Sequence, residues 1–224
     1  GYDGCPQCIT GPPWDDSTWN KVIITLGDMD LAMQADYFGP APSGTYAPGQ
    51  ITATFHETPI VNGPGHDFVT FENGFVLGWT SDRIFGELAF VEVSSNGTDF
   101  IRFPTHSLTP FWPGAYGTFV ASGVFGMTGK HVNAYGDSWG TPFDLEWLAD
   151  HPLVLNGTVD LNDIRYVRQV DVPGGGPKDA QDQYTGMFLD SYGHVIFDSW
   201  VTWGSGGADL DAIGVLNTSA SDWD

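Results

Sequence analysis

The residues of this chain that could do chemistry are its carboxylates and its histidines. Asp67, Glu72 and Glu87 lie inside or beside apolar runs, so folding should take them out of water. A buried carboxylate is costly unless it meets a cation, an arginine or backbone donors. Asp209 and Asp211 stand two residues apart, a spacing that puts both on one face of a strand. Asp137 and Asp144 flank a Gly-Thr-Pro turn and offer a second acidic pair. Carboxylates joined by backbone carbonyls supply about six to eight hard oxygen donors, which is the shell that Ca²⁺ takes. The candidate calcium ligands are therefore Asp67, Glu72, Glu87, Asp137, Asp144, Asp209 and Asp211. The competing reading is that these acids bond loop backbone or pair with Arg83, Arg165 or Arg168.

The histidines are scattered, with no HxH, HxxxH or HExxH spacing among them. His56 and His66 flank one turn region, and His106 follows a strand expected in the same sheet. These three are the candidate ligands for a borderline ion such as copper or zinc, the alternative being ordinary surface histidines. Cys5 and Cys8 sit in Gly-Cys-Pro-Gln-Cys. There is no second CxxC to complete a zinc site and no His after Cys8 for haem attachment, so a small disulfide loop is expected.

Two further classes of chemistry are ring stacking and catalysis. Trp112, Tyr116 and Trp139 lie in loops, where exposed rings stack on sugars; their bland role is to cap the core. For catalysis, Gly204-Ser205-Gly206-Gly207 is too short for a nucleophile elbow and has no α/β context, and no phosphate-binding Gly loop occurs. The expectation is a protein that is not an enzyme, with a glycan-cleaving carboxylate pair as the less favoured alternative.

The elements that must position these residues are short strands. With 30 Gly, 15 Pro and 14% aromatic residues, the composition favours strands joined by turns. Strands are expected over Lys21–Leu26, Gln50–Phe55, Phe68–Asn73, Leu88–Ser94, Phe100–Phe103, Ile164–Val172 and Leu210–Leu216. Met29–Phe38 is read as irregular, Ala121–Gly140 as a long Gly-rich loop, and Phe143–Leu148 as one or two helical turns. Residues 1–20 form an irregular arm, 21–217 a single domain and 218–224 a tail. The fold expected is all-β, a two-sheet antiparallel sandwich of jelly-roll (galactose-binding-like) type with long Gly/Pro-rich loops.

The charge narrows the partners. Seven Lys and Arg against 28 Asp and Glu give a formal charge of -21. Nucleic acid, which is bound by phosphate neutralisation, is excluded as an expected partner, and an anionic membrane surface would repel the chain. No membrane-spanning run or signal peptide is visible; if the chain is secreted, this is its mature form. The acidity serves solubility, as in a salty medium, or Ca²⁺ binding, and the two are compatible.

Five segments carry a resemblance: NGPGHDFVTFEN, ELAFVEVSSNGTDFIRFP, GTPFDLEW, RYVRQVDV and GGADLDAIGV, in one order between residues 60 and 217. They resemble bacterial secreted cell-surface proteins that carry NGPGxDFxxFEN, ELAxVEVSxDGxxFxxFP, GTPFDLxW, RYVRxVDV and GxDLDAIGV. The resemblance implies a secreted or surface β-sandwich without implying a reaction. Copper-binding surface proteins of methane-oxidising bacteria look like distant relatives. Their pairing of histidines with an oxidised tryptophan has no residue-by-residue counterpart here. The resulting expectation is a Ca²⁺-stabilised extracellular sandwich that binds a glycan or a second copy of itself, with surface copper binding as the alternative.

Overall fold

A computed structural model describes residues 24–25, 48–77, 82–114, 116–172, 188–199 and 207–219. The Cys5–Cys8 loop, the arm 1–20, the segment Met29–Phe38 and most of the tail lie outside the described residues. Within them the strands are β1 (Ile24–Thr25), β2 (Gln50–Thr54), β3 (Phe68–Glu72), β4 (Phe75–Val76), β5 (Arg83–Phe85), β6 (Ala89–Ser94) and β7 (Ile101–Arg102). They continue with β8 (His106–Ser107), β9 (Phe119–Val120), β10 (Val124–Phe125), β11 (Met127–Thr128), β12 (Thr141–Phe143), β13 (Tyr166–Asp171) and β14 (Asp209–Val215). Every strand pairing is antiparallel, and no described helix is long and apolar enough to cross a membrane. The chain is all-β, as its turn spacing predicts.

Two sheets carry the fold. The first runs β1-β14-β3-β12, and the second runs β11-β6-β13-β2 with β7 also on β6. They pack face to face because their alternating strands turn apolar residues to one side. Phe68 and Phe143 of the first sheet meet Val91, Val93 and Val167 of the second in one core, with Phe68 stacked on Phe143 at 5.2 Å. The opposite face of the second sheet is covered too: Phe90, Val170 and Val172 pack under Phe119, Val124 and Ile196. Hence all of β6 is buried.

Two local expectations need correcting. Ala121–Gly140 is not one loop, for it contributes β10 and β11. Neither dipeptide has the length to show a period by itself; each becomes a strand because a partner, β8 or β6, satisfies its backbone. Phe143 belongs to β12, and the helical turn begins only at Leu145, where Asp144 caps it by accepting from Glu146 N.

Phe68 sits at the contact between the sheets, so Phe68→Ala should cost about 3–5 kcal/mol of unfolding free energy. Leu155→Ala, on a side chain 71% exposed, should stay within about 0.5 kcal/mol of the parent. Urea titration of both variants checks this.

Candidate metal centre

The inner face of β3 changes character along its length. Phe68 lies in the aromatic core, Thr70 shares a 2.8 Å hydrogen bond with Thr128 of β11, and Glu72 ends the strand among other acids. Across the gap, β13 turns Val167, Gln169 and Asp171 to that same interior, so both sheets pass from apolar to acidic in one direction. Six carboxylates are buried in this part of the fold: Glu72, Glu87, Asp171, Asp198, Asp209 and Asp211.

Backbone amides reach several of them. Gly74 N donates to Glu72 Oε2 at 2.9 Å, Gly207 N to Glu87 Oε1 at 3.1 Å and Ala208 N to Asp171 Oδ1 at 2.8 Å. Leu88 N donates to Asp198 Oδ2, and Asn133 Nδ2 to Asp211 Oδ2 at 3.2 Å. Gly74 is required by this packing, since a Cβ there would lie 2.4 Å from Phe85 O and 2.7 Å from Glu72 Oε2. Burial pushes the Glu72 carboxyl well above its ordinary range. The Gly74 amide opposes that, and the charges of Asp209, Asp198 and Asp211 push it further up. In the same interior both polar atoms of the Gln169 amide and the Thr141 hydroxyl are buried without a hydrogen-bond partner.

Of the acids singled out from sequence, Glu72, Glu87, Asp209 and Asp211 are buried in this part of the fold. The argument that Asp209 and Asp211 share a face by simple alternation does not hold. β14 shifts register against β3 between Leu210 and Ala212, and Asp209 through Ala212 are all buried. Asp67 sits at the other end of β3, roughly 17 Å of strand away. Its carboxylate accepts from Gly63 N, Leu145 N and Asn217 Nδ2 at 2.7–2.8 Å, which ties three loops together. Asp137 is exposed, and Asp144 serves as the helical cap. Sequence reasoning missed Asp171 and Asp198. Asp171 had a usable signal, being the third inward position of a strand whose second is Gln169.

Among the described residues, three arginines pair with other acids. Arg102 and Arg168 both grip Glu92 on the outer face of β6, at 2.8 and 2.5 Å. Their guanidinium groups lie over Phe90 and Phe100, 3.9 and 3.7 Å from the ring centroids. Arg165 pairs with Asp163 at 2.9 Å.

The structure does not gather His56, His66 and His106. His56 meets Tyr166 edge-on at 5.0 Å, and His66 meets Trp147 at 6.1 Å. His106 instead faces His194, with ring centroids 5.5 Å apart. Among the described residues, His106, Asp190 and His194 are the group that brings three ligand atoms within 4.8 Å of one another. Burial raises the Asp190 pKa, but hydrogen bonds from Ser107, His194 and Tyr192 outweigh it and hold this carboxyl below its ordinary value. Of the aromatic candidates, Trp139 is 93% exposed and Trp112 is half-buried. Tyr116, at a φ of 52°, stacks on Phe85 at 6.2 Å.

No family model matches this chain, and no curated protein or solved structure does either.

Because the folded state holds the Glu72 proton more tightly than the unfolded chain, the contribution of this group to stability is full below about pH 4.5 and is lost as pH rises through its higher folded value. In chelator at alkaline pH, Glu72→Gln should therefore melt above the parent. The gap should close as pH falls toward 4.5. Thermal melts across that range check the sign.

Proposed function

We propose that the chain is a Ca²⁺-stabilised β-sandwich of jelly-roll order, displayed at the cell surface or secreted, that works by binding or self-association and not by catalysis. The observation that carries this reading is the set of six buried carboxylates, in which Glu72 feels the charge of Asp209, Asp198 and Asp211. The donor chemistry fits a hard cation. Glu72, Asp209 and Asp211 would hold it with Asp198 beside them, and the ion would supply the positive charge that like-charged neighbours need. The Gln169 amide and the Thr141 hydroxyl, buried without partners in the same interior, add oxygen donors to the ion's surroundings. The resemblance to bacterial surface proteins supports the extracellular setting.

Two features support binding as the mode of action. The Trp139 ring is free for stacking on a sugar, and β12 and β2 end their sheets as drawn from the described residues, open to strand addition by a second copy. A glycan array run with the parent and with Trp139→Ala separates the two. Retention lost in the variant at unchanged melting temperature favours a glycan, whereas no retention by either, with concentration-dependent sedimentation, favours self-association.

A ligand that binds only the folded state stabilises it by about 2.7 kcal/mol at a concentration 100 times its Kd. Calcium should therefore raise the melting temperature over that in chelator, and Asp209→Asn with Asp211→Asn should remove the rise. An identical melting temperature with and without Ca²⁺ overturns the reading.

A further inference from the structure

Away from the buried acids, a second set of side chains converges on one oxygen. Asp190 to His194, DSYGH, forms a tight turn closed by the Leu189–Val195 bridge, with Asp190 N donating to His194 O at 2.8 Å. Gly193 takes a φ of +82° there, which a side chain would resist, and its N–H donates to Asp190 O at 3.0 Å. The turn is clamped to the segment leading into β8. Ser191 N donates to Thr105 O at 3.0 Å, and Thr105 N to Ser191 Oγ at 2.9 Å. That clamp delivers His106, the first residue of β8, to the turn.

The Asp190 carboxylate is fully buried. It accepts from Ser107 N at 3.0 Å, Tyr192 N at 2.9 Å and His194 N at 2.8 Å. A carboxylate offers about four lone-pair sites. The fourth, on Oδ2, is hydrogen-bonded to His194 Nδ1 at 3.2 Å, and His106 Nε2 stands 4.0 Å from the same oxygen. One imidazole would satisfy that lone pair; here two approach it.

We propose that His106, Asp190 and His194 form a binding site for a borderline divalent transition ion of the zinc and copper(II) class, with a solvent-facing coordination position left open. Tetrahedral ligands at about 2.0–2.2 Å from an ion stand roughly 3.3–3.5 Å apart. The His194–Asp190 distance of 3.2 Å is close to that spacing. His106 Nε2 stands 4.0 Å from the same carboxylate and the three ligand atoms lie within 4.8 Å of one another, so His106 must move in by about an ångström. The His194 and His106 side chains are 59% and 31% exposed, so an ion enters without opening the fold. The Tyr192 ring lies beside His106, with centroids 4.8 Å apart. Two imidazoles and one carboxylate suit Zn²⁺, Cu²⁺ and Ni²⁺, whereas Ca²⁺ takes oxygen alone; the site is therefore chemically separate from the buried acids. Three protein ligands with a free fourth position make an exchangeable centre, not a closed structural one.

The experiment is calorimetric titration of the full chain with Zn²⁺ near neutral pH in saturating Ca²⁺, with Co²⁺ absorption as the geometric probe. One equivalent should bind, and Co²⁺ should give the strong visible bands of a four-coordinate ion. His106→Gln and His194→Gln should each weaken binding by at least the ~10-fold that loss of even an outer-shell partner costs. His56→Gln and His66→Gln should leave it unchanged. Absence of Zn²⁺ uptake at micromolar ion overturns the proposal. So does His106→Gln binding like the parent at the parent's melting temperature, since the group would then be a hydrogen-bonded turn and no more.

Discussion

Taking a carboxylate out of water is the constraint to which much of this structure answers. The chain carries 28 acids and seven Lys and Arg, so ion pairing reaches only a minority of them. The fold answers in more than one way. Glu92 receives two arginines, each also laid over an aromatic ring. Asp67 and Asp190 are met chiefly by backbone N–H groups that the surrounding turns present. Around Glu72 the acids crowd, and the charges of Asp209, Asp198 and Asp211 add to burial in pushing the Glu72 carboxyl upward.

These answers have different structural consequences. A carboxylate held by three amides fixes loops: Asp67 joins the segments around Gly63, Leu145 and Asn217, and its removal would free all three at once. The Glu92 group instead locks β6, β7 and β13 in register on the outer face of the second sheet. The buried acids also take backbone donors, Asp198 from Leu88 N and Asp171 from Ala208 N, but like charges gather there on Glu72. Repulsion there opposes the closure that the aromatic core at the far end of the same two sheets drives, and a bound cation would turn that opposition into attraction.

The architecture also separates two kinds of ligand chemistry. Oxygen donors lie between the sheets, shielded from solvent and built on β3, β13 and β14. The nitrogen-containing set lies on a turn and a short strand at the surface, where exchange with solvent is easy. A hard ion in the first place and a borderline ion in the second would not compete, since their donor preferences differ.

Local pattern determined the longer strands. The alternation in Phe68–Glu72, Ala89–Ser94 and Tyr166–Asp171 is a property of neighbours two residues apart, and it fixes which residues point inward whatever else the chain does. Composition determined the shortage of cations and hence the burden on the acids. Tertiary structure alone decided which acids meet. Asp198 reaches Leu88 across 110 positions of sequence, Asn133 reaches Asp211 across 78, and a register shift in β14 undoes the alternation that two-residue spacing implies. It also decided the histidine partners. His106 and His194 meet because backbone hydrogen bonds between Thr105 and Ser191 bring two distant segments together, and no spacing rule within either segment encodes a contact made by the pairing of both.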